Sequence, residues 1–279
     1  MTDFDCYRPR LRAIAYRMLG SVADAEDAVQ ETALRWHRTD PSGIVNPEAW
    51  LVRACTRVSI DLLRRRRREA YVGPWLPEPA EEPAAEAPAL AESLRLAFLL
   101  MLERLTPNER AAFLLREVFD TPYDEVAQTL GVSEQACRQY VSRARRHLAD
   151  ERARFTVAPR AEFDLMTRFG AALAAGDYNA MTTLLAADAR MVSDGGGKVT
   201  AALNVVTGAD KVARFFIGIA GKAPPDLKWT PTTLNGGLAI AGEAGGRIHG
   251  VLSLATDGEL ITSIFVQRNP DKLAHVTLN

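Results

Sequence analysis

The chain is poor in cysteine, in lysine and in long apolar runs, and each shortage excludes something. Three cysteines occur in 279 residues, Cys6, Cys55 and Cys137, with no Cys-x-x-Cys spacing. That excludes a disulfide framework and a cysteine zinc site, and fits a reducing compartment. No apolar run approaches the length of a membrane span and no signal peptide opens the chain, so the expected location is the cytoplasm. No lysine precedes Lys198, so the first two-thirds uses arginine as its only strong cation. Guanidinium forks suit phosphates and base edges. Net charge is −1, so no global field points to nucleic acid or membrane. Locally the balance shifts. Residues 1–70 hold thirteen Arg against ten Asp and Glu, and residues 71–93 hold five Glu and no cation.

The first seventy residues read as helices. Ser21 caps "VADAEDAVQETALRWHR" with Asp24 three residues on, and Ala25, Ala28, Val29, Thr32 and Trp36 recur at helical spacing. "TDPSGIVN" breaks the pattern at Pro41 and Gly43. Asn46 and Pro47 then start a helix that carries Trp50, Leu51, Ala54, Val58 and Leu62 inward and ends in five arginines, Arg64 to Arg68. Residues 71–93 are a Pro/Ala/Glu-rich linker, a composition that buries little surface and extends. Trp75, Leu76 and Pro77 form an apolar island within it. Residues 94–153 are helical again, with a capping box at Thr106-Pro107-Asn108-Glu109.

"TPYDEVAQTLGVSEQACRQYVSRARRHL" has the parts of a helix-turn-helix. Val126, Ala127 and Leu130 pack the first helix, Gly131 turns the chain, and Ser133 caps the second helix, expected to run to about His147. Cys137 and Val141 face inward; Cys137 reads as a small buried hydrophobe rather than a redox switch. Arg138, Gln139, Ser142, Arg143, Arg145 and Arg146 are expected on the outward face, where they can reach base edges or phosphates.

From about Arg160 the character changes. Phe163, Met166, Phe169 and Leu173 make an amphipathic helix, and a short helix follows Gly176-Asp177. Segments rich in Val, Ile and Thr follow, with the helix "GADKVARFFIGIAGK" among them. An α+β domain with a curved antiparallel sheet and helices on one face is expected over 160–279. "DGGGKVT", Asp194 to Thr200, is too short for a P-loop. Gly195, Gly196 and Gly197 read as a turn between two strands, the second being "KVTAALNVV", with Asp194 and Lys198 free at its shoulders.

Two stretches resemble a known family. "DAEDAVQETALRWHR" with "NPEAWLVRACTRVSIDLLRRRRR" resembles region 2 of extracytoplasmic-function (ECF) sigma factors, and "LTPNERAAFLLREVFDTPYDEVAQTLGVSEQACRQYVSRARRHL" resembles their region 4. "WLP", "DGGGK" and "NPDKL" (Asn269, Pro270, Asp271, Lys272, Leu273) together resemble the SigJ-like group, which carries a fused SnoaL-like, NTF2-like domain. The implied fold is multi-domain: two all-α sigma domains and a C-terminal α+β cone with a pocket. The implied partners are RNA polymerase core and promoter DNA. Asp24, Asp27, Gln30 and Glu31 would face the polymerase. Arg53, Arg57, Arg64 and Arg65 would serve the melted −10 element, although family members commonly carry Asn where Arg57 stands. The outward residues of the helix-turn-helix would read the −35 element. The C-terminal domain would regulate in cis through Trp75 to Pro77, Asp194 to Lys198 and Asn269 to Leu273, with no separate anti-sigma protein. A weak contact suffices for a tethered regulator, because its effective concentration is of millimolar order.

The resemblance implies no cofactor, metal or catalytic residue. Asp194 and His249 are the only acid–base candidates in the last domain, without a paired arrangement. Its pocket is a candidate site for a small-molecule ligand. The competing readings are a ligand-sensing one-component helix-turn-helix regulator, which leaves the region 2 motif unexplained, and an isomerase-like enzyme with a DNA-binding leader.

Overall fold

The computed structural model describes residues 4–66, 71–81, 95–152 and 159–278. The chain forms two compact units. The first comprises residues 1–70, 87–94 and 98–150; the second comprises 71–86, 95–97 and 151–279.

In the first unit α1 (Arg8–Leu19), α2 (Val22–Arg38) and α3 (Pro47–Arg66) pack around Leu11, Ile14, Met18, Val29, Leu51 and Val58, each at most 4 % exposed. The start signals act as expected. Asp24 N–H donates to the Ser21 hydroxyl at 3.1 Å, and Ala49 N–H to Asn46 Oδ1 at 3.1 Å. The Trp36 and Trp50 rings meet at 5.4 Å, tying α2 to α3. Arg67 and Arg68 lie outside the described residues.

Next come α4 (Leu96–Leu102), α5 (Pro107–Phe113), α6 (Tyr123–Leu130) and α7 (Glu134–Arg152). The capping box at the start of α5 is complete: Glu109 N–H donates to the Thr106 hydroxyl while Thr106 N–H donates to the Glu109 carboxylate. Gly131 ends α6 in the left-handed region, at φ 67°, where a side chain would be strained. Ser133 accepts from Ala136 N–H and starts α7, and Cys137, Val141, Ala144 and Leu148 form its buried seam. With no Gly or Pro before Pro159, α7 runs past His147 to Arg152.

The α1–α3 module packs against α5 and α6 within this unit, and the end of α1 receives one arginine from α5 and one from α3. The buried Arg110 guanidinium donates to Met18 O at 2.6 Å, and Arg66 to Leu19 O at 2.8 Å. These are C-terminal carbonyls of α1, which lack helical partners and attract cations.

The second unit contains α8 (Pro159–Ala175), α9 (Tyr178–Leu184), β1 (Leu185–Asp194), β2 (Val206–Thr207), α10 (Ala209–Ala220), β3 (Lys228–Leu234), β4 (Gly237–Ala244), β5 (Arg247–Thr256), β6 (Ile261–Gln267) and α11 (Pro270–Leu273). The sheet order is β2-β1-β6-β5-β4-β3. The sheet is mixed rather than antiparallel throughout, because β1 and β6 run parallel, Asp194 beside Gln267. That geometry needs a long crossover, which the intervening elements supply. Helices α8, α9 and α10 cover one face around Phe169, Met181, Met191, Phe216 and Ile264. The opposite face buries Leu234, Ala239, Ala241 and Val251 beneath Leu273 and Val276.

"KVTAALNVV" is not the strand expected of it; only its last residue, Val206, pairs with β1, together with Thr207 just beyond it. Val199, Leu203 and Val205 remain exposed, with no facing layer to make a strand worthwhile. No helix among the described residues is long and apolar enough to cross a membrane.

Burial decides thiol chemistry. It pushes the Cys55 thiol up to about 12 and raises that of the fully buried Cys137, whereas Cys6 is exposed. Native labelling with a thiol reagent is expected to modify Cys6 alone, with Cys55 and Cys137 reacting only in denaturant; mass spectrometry of digested samples reads the pattern.

Candidate nucleic-acid interface and the linker clasp

Helix α7 presents Arg138, Gln139, Ser142, Arg145 and Arg146 to solvent. Several are oriented by neighbours. The Arg138 guanidinium stacks 4.2 Å from the Tyr123 ring and pairs with Glu134, and Arg145 bonds Glu117 at 2.8 Å. Arg143 departs from the expected outward face. It is half-buried and donates to Glu109 at 2.7 Å, so it braces α7 against the start of α5. Burial alone raises the Glu109 carboxyl, but bonds from Arg143 and Thr106 outweigh it and hold the group below its ordinary value.

The residues expected at a melted −10 element sit on α3. Arg57 donates to Thr129 O at 2.9 Å and to Gln128 O at 3.1 Å, both in the last turn of α6. Arg53 reaches Gln128 Oε1 at 2.9 Å, and Arg64 reaches Asn108 Oδ1 at 3.3 Å. Arg65 is exposed. A cleft of about 540 Å³ opens beside these bonds, lined by Ile44, Val45, Trp50 and Arg53 on one side and by Asp124 and Gln128 on the other. On α2, Asp27 and Gln30 are exposed, Asp24 and Glu31 are half-buried, and Glu31 pairs with Arg35 at 2.8 Å. The same face carries Leu34, half exposed at 51 %, which sequence reasoning passed over. An exposed leucine one turn from the acidic positions was its only signal.

The three short signatures meet within the second unit. Asp194 has no exposed surface. Its carboxylate accepts from Leu76 N–H at 2.8 Å, Tyr71 Oη at 2.6 Å, Gly196 N–H at 3.0 Å and Lys272 Nζ at 2.7 Å. Lys272 Nζ also donates to Leu76 O at 2.7 Å and lies over the Trp75 and Tyr71 rings, at 4.4 and 4.9 Å. Gln267 Nε2 reaches the Leu76 and Pro77 carbonyls, and Asn269 Nδ2 donates to Tyr71 Oη at 3.0 Å. Leu76 is fully buried, although the linker's composition argues for little burial.

The turn is not free at its shoulders. Asp194 lies beneath the linker, and Lys198 pairs with Asp271. Gly196, at φ 59°, has no room for a side chain, since a Cβ would fall 2.2 Å from Asn269 Nδ2; Gly197, at φ 71°, packs under Val72. Pro270 and Leu273 set α11, which Asn269 caps through Asp271 N–H, and Leu273 is buried beneath the sheet. Gly195 is closed in by Val199 O, 2.6 Å from where its Cβ would be. Tyr71 and Gln267 were missed. Tyr71 has no motif, and Gln267 reaches the clasp only because β6 runs parallel to β1. Asp194 and His249 are not brought together: Asp194 serves the clasp, whereas His249 lines a cavity on the helix-covered side of the sheet.

A three-helix module and a helix-turn-helix in one compact body, each with arginines on a long helix, define a two-module helical DNA-recognition protein. Residues 4–69 match the family model Sigma-70 region 2, and residues 95–148 match Sigma-70, region 4. The chain is 42% identical over 236 residues to the ECF RNA polymerase sigma factor SigJ of Mycobacterium tuberculosis, covering 81% of this chain and 75% of that protein. It is 32% identical over 278 residues to the probable ECF RNA polymerase sigma factor SigI of the same organism, covering 96% and 92%. The crystal structure of M. tuberculosis extracytoplasmic function sigma factor SigJ matches with a TM-score of 0.78 at 35% identity, over 99% of each chain. The protein belongs to the ECF family of RNA polymerase sigma factors. Its architecture is that of two helical sigma modules followed by an α+β domain.

Two outcomes follow from these bonds. Lys272→Met leaves Asp194 buried without its cation, which costs about 3–5 kcal/mol for a buried pair. Hydrogen exchange over residues 71–81 is expected to accelerate, with partial recovery in Asp194→Asn/Lys272→Met. The depressed Glu109 carboxyl adds stability that is present above the unfolded value and is lost as pH falls through the folded one. Glu109→Gln is expected to flatten the acid limb of a urea-stability profile.

Proposed function

We propose that this sigma factor directs polymerase core to promoters by dividing recognition between α3 and α7, and that the first unit is its closed form. The carrying observation is that Arg53 and Arg57 are spent on the last turn of α6, which holds the two modules side by side. The −10 and −35 elements are, by name, about 25 base pairs apart, roughly 85 Å of duplex at 3.4 Å per pair. Modules bonded to each other do not span that distance, so reading both elements requires these bonds to open. Arg53 and Arg57 then become available to unstacked bases, with Arg64 and Arg65 on phosphates.

On α7, Arg138, Gln139, Ser142, Arg145 and Arg146 read the −35 duplex, while Arg143 positions the helix through Glu109. Asp24, Asp27, Gln30 and Glu31, with the exposed Leu34, form the polymerase-facing side of α2. The protein performs no chemistry of its own, and its location is the cytoplasm. The C-terminal domain regulates in cis and takes the place of a separate anti-sigma protein. Clasping residues 71–81 shortens its tether and so raises its effective concentration. The working divisions are region 2 over 1–70, the linker over 71–93, region 4 over 94–153 and the regulatory domain over 160–279.

Transcription with purified core is expected to give promoter-dependent initiation, and its absence would overturn the reading. A probe pair at Cys6 and at Ala149→Cys, an exposed position of α7 with no assigned role, is expected to lengthen by tens of ångströms, on the order of the spacing above, when core and promoter bind. An unchanged distance in a transcribing complex would sink the closed-form proposal. Trp75→Ala is expected to change transcript yield while the circular dichroism of the helical modules stays the same.

A further inference from the structure

A cavity of about 590 Å³ lies between α8, α10 and the helix-covered face of strands β3 to β6. That volume falls in the range, roughly 300–1,000 Å³, of small-ligand sites. Its wall is apolar and firmly packed: Phe169 and Phe216 meet edge to face at 5.1 Å, with Leu173, Ile240 and Leu252 beside them. Trp229 lies across Gly242, where a Cβ would come within 2.8 Å of the ring. The lining includes two of the exposed large hydrophobic residues of this unit, Trp229 at 48 % and Ile219 at 39 %. Leaving such surface in water is unfavourable unless something covers it.

The charged residues of the lining are of one sign. Lys222 and Arg268 border the cavity, with the His249 ring beside them, and no carboxylate does. Among the described residues neither Lys222 nor Arg268 is paired with an acid; Arg268 is steadied instead by donating to Thr200 O at 2.8 Å. An apolar chamber with unanswered cations complements an apolar body that carries an anionic head. The absence of a lining carboxylate also leaves no acid–base pair to turn such a molecule over.

We propose that this cavity is a binding site for a small amphipathic anion, a carboxylate or its equivalent on an apolar body, held by Arg268 and Lys222 at the head and by the Phe169–Phe216–Trp229 wall along the body. Alternation on β6 sets Val266 and Arg268 into the cavity while Gln267 turns to the linker clasp, so the bound head touches a residue adjoining the clasp. Binding is read on the purified full-length chain and does not rest on promoter recognition.

The probe is 8-anilinonaphthalene-1-sulfonate, itself an amphipathic anion, displaced in turn by dodecanoate, 2-naphthoate and the neutral dodecanol. Saturable binding is expected, with dodecanoate or naphthoate at least about tenfold more effective than their uncharged counterpart, as charge-assisted hydrogen bonds require. Whichever acid competes better identifies an aliphatic or an aromatic body. Gly170→Leu grows into the chamber, since a Cβ there meets no atom within 4 Å, and is expected to abolish binding while the thermal transition is retained. Lys222→Gln/Arg268→Gln is expected to weaken the acids at least about tenfold and leave dodecanol unchanged. The proposal is overturned if no probe saturates on folded protein, if dodecanol competes as well as the acids, or if Gly170→Leu binds like the unaltered chain.

Discussion

A carboxylate with no exposed surface has to be answered by its surroundings, and Asp194 organises the second unit around that need. Its five donors come from β1's own turn, from the linker, from Gln267 on β6 and from α11, segments far apart in the chain. Each demands something of its neighbours. The turn must bring Gly196 N–H back onto the carboxylate, and Asn269 leaves no space for a Cβ there. Lysine 272 must be buried too, and it is answered by a carbonyl and two aromatic faces. Such a pair contributes little net stability against an apolar core but penalises every arrangement that separates its members. Geometry, rather than strength, is what the clasp secures: an otherwise extended acidic linker is held in one place on the sheet.

The first unit relies on a different use of charge. Three of its arginines reach helix C-termini, Arg110 and Arg66 at the end of α1 and Arg57 at the end of α6, and Arg110 also pairs with Glu103 at 2.8 Å. Terminal carbonyls offer partners without requiring an acidic residue to be buried. Such contacts are also reversible, because a phosphate or a base edge can replace a carbonyl as acceptor. The opening proposed for this unit would draw on bonds of this kind. Arg143 shows the contrary case. Its partner Glu109 is already committed to a capping box, so within this unit the bond braces α7 against the start of α5.

Much of this was legible in the chain. The caps at Ser21, Asn46, Thr106 and Ser133 were readable because a capping bond spans three residues and depends on little else. The helix-turn-helix was readable because its core, turn and outward face lie within thirty residues. Arg143 and Arg57 were readable as basic residues on helices but not as bonded ones, since the acceptors stand 34 and 72 positions away. "KVTAALNVV" looked like a strand by its residues and is mostly a loop, because strand formation there depends on a partner that only its last residue finds.

The amino-acid sequence by itself determined the helices, their N-terminal caps, the turn glycines and the kinship of the two helical modules, all of which rest on short-range hydrogen bonding and side-chain periodicity. Tertiary structure alone decided that β1 and β6 run parallel, that Asp194 faces Lys272 rather than solvent, that the linker's Leu76 is core, and that Lys222 and Arg268 border an apolar chamber with no acid beside them. The physical reason is common to all four. Each is a juxtaposition of residues remote in the chain, and its free energy arises from burial and mutual desolvation, which no local segment experiences until the whole unit has closed around it.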